Sequence, residues 1–88
     1  MNDDYQPVAC SQHEVYEYAV LKGSMLDISW HDEDGSRCRA RAMPKDVVTR
    51  DKAEYLVIEK QDKSIRWIRL DRIIEAEEVS GSDGRLRR

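Results

Sequence analysis

Ser11 and His13 stand two residues apart, and a hydroxyl beside an imidazole is the pairing that nucleophilic catalysis requires. The same residues belong to Ser11-Gln12-His13-Glu14, which has the form of a helix capping box: Ser11 accepts from the backbone amide of Glu14 and the Glu14 side chain reaches back. Capping explains them better, because helical spacing does not aim one side chain at the other. Asp32, Glu33 and Asp34 form a run of carboxylates of the kind acid–base chemistry uses, but they precede Gly35 in a hairpin turn, where nothing excludes water or fixes them. Cys10, His13, His31 and Cys38 could together offer four zinc ligands, yet their spacing matches no standard ligand pair. Neither a phosphate loop nor a dinucleotide fingerprint occurs. The chain reads as a non-enzyme that takes no metal or cofactor, with Cys10 and Cys38 as reduced, unpaired, buried thiols.

Binding chemistry is better represented. Arg37, Arg39 and Arg41 alternate along a strand and so project from one face, where they could track a phosphate backbone while Trp30, Tyr55 or Trp67 stacks on bases. They also suit the solvent face of an amphipathic strand, paired with Asp27 or with acidic residues on a neighbouring strand. Composition argues against direct nucleic-acid binding: the chain of 88 residues carries a formal net charge of −3, and binders of single strands normally show a positive excess. RNA recognition through Arg37, Arg39 and Arg41 is therefore the second reading.

The first is recognition of another protein. Residues 1–36 hold eight carboxylates against Lys22 alone, a net of −7, and such a surface repels phosphates and attracts a basic partner. The densest acidic patches are Asp3 and Asp4 with Glu14 and Glu17, and the turn Asp32-Glu33-Asp34. Glu14 and Glu17 lie three apart on one helix, near neighbours that can offer two carboxylates to one Arg or Lys cluster.

A single small domain must position these groups, since 88 residues leave no room for a second core. A short helix is predicted from about 12 to 22, with Val15, Tyr18, Ala19 and the Lys22 stem toward the core and Gly23 as its left-handed cap. From Met25 the period changes to two, predicting a hairpin of Leu26–Trp30 and Arg37–Ala42 around the Asp34-Gly35 turn. Met43-Pro44-Lys45-Asp46 breaks the pattern, and Val47–Arg50 reads as a turn or a very short element. Strands are predicted at Glu54–Glu59, Ile65–Leu70 and Ile73–Val79, with a core of Ile28, Cys38, Ala40, Leu56, Ile58, Ile68, Leu70 and Ile73. One helix and five short strands suit a small, strongly bent or closed antiparallel barrel, because closure removes sheet edges. The tail Gly81–Arg88 has the composition of a disordered, basic end. No run approaches the length of a membrane span, and the acidic start Met1-Asn2-Asp3-Asp4 is unlike a signal peptide, which points to a cytoplasmic chain.

Four stretches carry a family resemblance: Met1-Asn2-Asp3-Asp4-Tyr5-Gln6-Pro7-Val8-Ala9-Cys10, Gly35-Ser36-Arg37-Cys38-Arg39-Ala40-Arg41-Ala42, Glu54-Tyr55-Leu56-Val57-Ile58-Glu59 and Arg69-Leu70-Asp71-Arg72-Ile73. In this order, from residue 1 to about 79, they resemble the Rho-binding antiterminator family, Rof. The resemblance implies an N-terminal helix and a five-stranded Sm-like barrel, monomeric when free. It further implies an inhibitor that binds the N-terminal domain of termination factor Rho at its primary RNA-binding region and keeps RNA from loading. The family's partner-facing positions fall on Asp3, His13, Glu14 and Glu17 in and before the helix, and on Arg50, Asp51 and Lys52 before the third strand. His13 stands where the family admits a tyrosine, and Asp51-Lys52 alters the charge order of that loop.

Overall fold

The computed structural model describes residues 5–79. It contains α1 (Cys10–Lys22), β1 (Leu26–His31), β2 (Arg37–Arg50), β3 (Ala53–Lys60), β4 (Ile65–Arg69), a 3-10 turn (Leu70–Arg72) and β5 (Ile73–Glu78). Asp3, Asp4 and the tail Gly81–Arg88 lie outside the described residues.

The strands form one antiparallel sheet in the order β4-β3-β2-β1-β5. No β4–β5 pairing closes it, so the expected barrel is a bent, open sheet consistent with an Sm-like fold. The bend resides in β2. Where the sequence suggested a break at Met43–Asp46, the strand runs on through Pro44, and its register against β3 shifts between Pro44 and Asp46. A bulge is where a strand tolerates a residue without an N–H, and it sharpens the local twist. One 14-residue strand thereby pairs with β1 along Arg37–Ala42 and with β3 along Ala42–Arg50.

Five of the predicted core residues, Ile28, Leu56, Ile58, Ile68 and Leu70, are fully buried, and Cys38, Ala40 and Ile73 pack against them at the margin. Tyr16, Ala19, Leu26, Trp30 and Ala42 complete the cluster. Trp30 is thus a core residue and unavailable for stacking on a base.

The helix enters differently from its sequence pattern. It begins at Cys10, and its N-cap, Ala9, makes no side-chain capping bond. The Ala9 carbonyl takes the amides of Gln12 and His13, both at 3.0 Å. Ser11 is consequently inside the first turn, and the Ser11–Glu14 capping box is not formed. The buried face is Tyr16 and Ala19, while Val15, Tyr18 and Leu21 face solvent. Two helical stripes share Ala19, and the one carrying Tyr16 is buried; Gln12 Nε2 donates to its hydroxyl at 3.2 Å, giving the buried phenol a partner. Burial pushes the Tyr16 hydroxyl above its ordinary pKa. At the other end Gly23 adopts φ 71°, and its amide with that of Ser24 closes onto Ala19 and Val20, the expected left-handed cap.

Candidate partner-binding site

A tether sets where α1 begins. Arg69 grips Asp71 through two N–H···O contacts of 2.8 Å, and both side chains are only 8% exposed. Burial alone would raise the Asp71 carboxyl pKa, but the Arg69 guanidinium and the Gln6 amide, 3.0 Å from Oδ2, reverse it and hold the group below the usual carboxylate range. The Arg69 guanidinium also lies 5.7 Å from the Tyr5 ring centroid, and the Tyr5 hydroxyl donates to Glu54 Oε1 at 3.0 Å. Burial, with that carboxylate beside it, pushes the Tyr5 pKa well up. These contacts pin Tyr5 and Gln6 to β3 and the 3-10 turn, so the chain reaches the helix start in one orientation.

His13 joins the helix to the sheet. Its Nδ1 lies 3.5 Å from Glu17 Oε1 and its Nε2 lies 3.0 Å from Glu54 Oε2. Val8, Cys10, His13, Glu14, Glu17 and Glu54 line one shallow groove. Two carboxylates thus flank one imidazole, a third, Glu14, lines the same groove, and Glu14 and Glu17 are exposed. Helical spacing places Leu21 one turn beyond Glu17 and two beyond Glu14, and Leu21 is 82% exposed. The outer face of α1 therefore pairs carboxylates with an apolar side chain.

The hairpin β2–β3 ends beside this groove, since Glu54 follows Ala53 directly. Asp51 and Lys52 occupy the turn with φ 53° and 66°, the left-handed values that a two-residue hairpin turn needs at both central positions. Arg50 departs from the expected grouping. Its guanidinium stacks 4.9 Å from the Trp67 ring centroid, on the side of the sheet away from α1. The structure thus brings together His13, Glu14 and Glu17 with the Asp51–Lys52 turn nearby, and turns Arg50 elsewhere. Glu54, Tyr5, Leu21 and the Arg69–Asp71 pair are the members that sequence reasoning missed. Periodicity marks none of them: Glu54 and Tyr5 act through contacts distant in the chain, the Arg69–Asp71 pair is tied to the helix start only through Gln6 and Tyr5, and Leu21 lies off the expected buried face.

The arginine stripe is exposed but compensated. Asp27 binds Arg39 at 3.1 and 2.8 Å and is held below its ordinary pKa by that contact, and Glu75 and Glu77 on β5 add their fields to Arg39. Cross-strand pairing with Asp27, the alternative role for the stripe, is what forms. The acidic turn is also engaged internally. Asp32 bonds Arg66 and the Glu33 amide, and Asp34 takes the Ser36 amide at 2.9 Å. Both thiols are free, with Cys38 half-buried but Cys10 exposed at the helix start, contrary to the expectation of two buried thiols.

A family model described as Modulator of Rho-dependent transcription termination (ROF) matches residues 7–82, a span that takes in α1 and every strand. The chain belongs to the ROF family. Protein rof of Escherichia coli (strain K12) is 38% identical over 73 residues, covering 83% of this chain and 81% of that protein. Protein rof of Shigella flexneri matches to the same extent. Among solved structures, the proteasome accessory factor B/C (PafBC) of Arthrobacter aurescens aligns with a TM-score of 0.66 at 24% identity. That match covers 88% of this chain and 13% of that one, and it shows a shared fold alone. The ROF family is non-catalytic, and among the described residues no three metal-ligating side chains converge on one point. No helix among them is long and apolar enough to cross a membrane.

Proposed function

We propose that this chain is a cytoplasmic, monomeric protein inhibitor that binds the N-terminal domain of Rho at its primary RNA-binding region, keeps RNA from loading and so acts as an antiterminator. The observation that carries the reading is the carboxylate-rich face built by Glu14, Glu17 and Glu54 around His13, beside the Asp51–Lys52 turn. A surface that normally receives phosphates is basic, and a rigid array of carboxylates is a competitor for it. Rigidity comes from the Arg69–Asp71 tether and the His13 bridge, which limit the freedom lost on docking. Glu14 and Glu17 supply the charge, Lys52 and Asp51 set the register at the second contact, Leu21 adds an apolar contact, and Asp3 precedes the same helix.

The reading is tested by displacing a labelled single-stranded RNA from Rho with the purified chain at two salt concentrations. Displacement is expected, and it should weaken as salt rises, because exposed charges are screened over about 8 Å near physiological ionic strength. Rho that keeps its RNA at saturating chain concentrations would reject this function.

The second reading, RNA binding through Arg37, Arg39 and Arg41, has less support, since Asp27 occupies Arg39 and two β5 glutamates act on it.

A further inference from the structure

The far side of the sheet carries a feature that the proposed carboxylate contact does not involve. A cleft at the β4 edge is lined by Trp30, Tyr55, Arg66, Trp67, Arg69 and Arg72, among others. Its two tryptophans differ: Trp30 is 4% exposed and part of the core, whereas Trp67 is 39% exposed. Tyr55 lies beside Trp67 with ring centroids 5.7 Å apart and planes tilted by 56°. Arg50 stacks on the same indole at 4.9 Å.

The cations of this region fall into two kinds. Asp32 holds Arg66, and Asp71 holds Arg69. Among the described residues Arg50 and Arg72 have no carboxylate at ion-pairing distance; Arg50 stands by the exposed indole, and Arg72 lines the cleft together with Asp32 and Glu33 and feels the field of Asp71. An exposed aromatic plane with two guanidinium groups nearby that hold no ion pair fits a ligand that offers a flat ring and an anion within one unit. A nucleotide does so at every repeat of a strand, and aromatic rings with neighbouring arginines are how sequence-tolerant single-strand sites are built. An unmodified protein side chain supplies the ring or the anion but not both. The β2 stripe, by contrast, has Asp27 already seated on Arg39.

We propose that Trp67, with Tyr55, Arg50 and Arg72, forms a stacking site for one nucleotide of single-stranded RNA, on the face opposite the carboxylate groove. Trp67 receives the base, and Arg50 and Arg72 meet the flanking phosphates. The site is small and the chain carries a net charge of −3, so binding is weak and its salt dependence shallow. Two phosphate contacts on a single strand correspond to a slope of about −1.4 in log K against log salt.

A twelve-residue oligouridylate titrated into the full chain provides the test, with tryptophan emission and the anisotropy of a labelled oligonucleotide read in parallel. Quenching of Trp67 is expected. Trp67→Leu should abolish the emission change and weaken binding by about tenfold, and Arg72→Gln should reduce the salt slope by about 0.7. Trp30→Phe, which leaves Trp67 as the sole emitter, assigns the emission change if Trp67→Leu fails to fold. Absence of oligonucleotide binding, or binding that leaves Trp67 emission unaltered, would overturn the proposal. So would an emission change produced by Rho and not by the oligonucleotide, which would make the patch a protein contact.

Discussion

Arg69 and Asp71, two residues apart at the end of β4, face each other across two 2.8 Å contacts in a nearly closed site, and the Gln6 amide completes the carboxylate's shell. This pair links the buried sheet to the segment that launches α1. The geometry of α1 therefore depends on an ion pair that lies outside the carboxylate groove.

Asp71→Asn removes the carboxylate that two N–H groups of the buried Arg69 hold. Removing one member of such a pair costs about 3 to 5 kcal/mol, and denaturant unfolding should show a loss in that range. Asp71 also gives stability a pH dependence. Its folded pKa is depressed below the unfolded value of about 3.9, so its contribution is fully present above that value and declines as pH falls through the folded one. Acid titration followed by circular dichroism should place this loss below about pH 4, and Asp71→Asn should flatten it.

The Asp51–Lys52 turn permits a clean deletion of one side chain. Lys52 holds φ 66°, a conformation glycine adopts without a steric penalty. Lys52→Gly should keep the hairpin and preserve or slightly raise its thermal midpoint, while removing one candidate partner contact. A several-fold weaker affinity for Rho with unchanged stability would assign the contact to the lysine side chain, and unchanged affinity would remove Lys52 from the interface.

Elements whose determinants are local were legible in the sequence. The Gly23 cap and the Asp34-Gly35 hairpin each depend on neighbours within a few residues, and each forms as read; β1 alternates less cleanly, since Ser29 is buried between Ile28 and Trp30 where the register against β5 shifts, and β4 stops at Arg69, one residue short of its expected end. Pro44 misled, because a missing N–H marks a strand end unless a bulge absorbs it, and the bulge is imposed by β3 pairing from the far side. Ser11 misled for the same kind of reason: its capping box is a sound local signal, but the tether at Tyr5 and Gln6 fixes the chain upstream and the helix starts at Cys10. The carboxylates Glu14 and Glu17 were found by charge counting. Glu54 was not, since only the fold carries it to His13.

Neutralising the arginine stripe separates the two binding readings. Arg37→Gln, Arg39→Gln and Arg41→Gln combined should leave displacement of RNA from Rho nearly intact, because these side chains lie on the solvent face of β2 and the central one is committed to Asp27. A loss of Rho binding in the triple variant would move the interface onto β2.

The carboxylate face of α1 is tested most directly by Glu17→Lys in the RNA-displacement measurement on Rho. Glu17 is exposed, and its one ion-pairing neighbour among the described residues is His13, so the variant should fold with nearly unchanged stability. Reversing a charge at the centre of a complementary interface costs about 2 to 5 kcal/mol, and the variant is predicted to displace RNA at least thirtyfold less effectively than the parent. A folded Glu17→Lys protein that displaces RNA as well as the parent would contradict the assignment of this helix as the recognition surface.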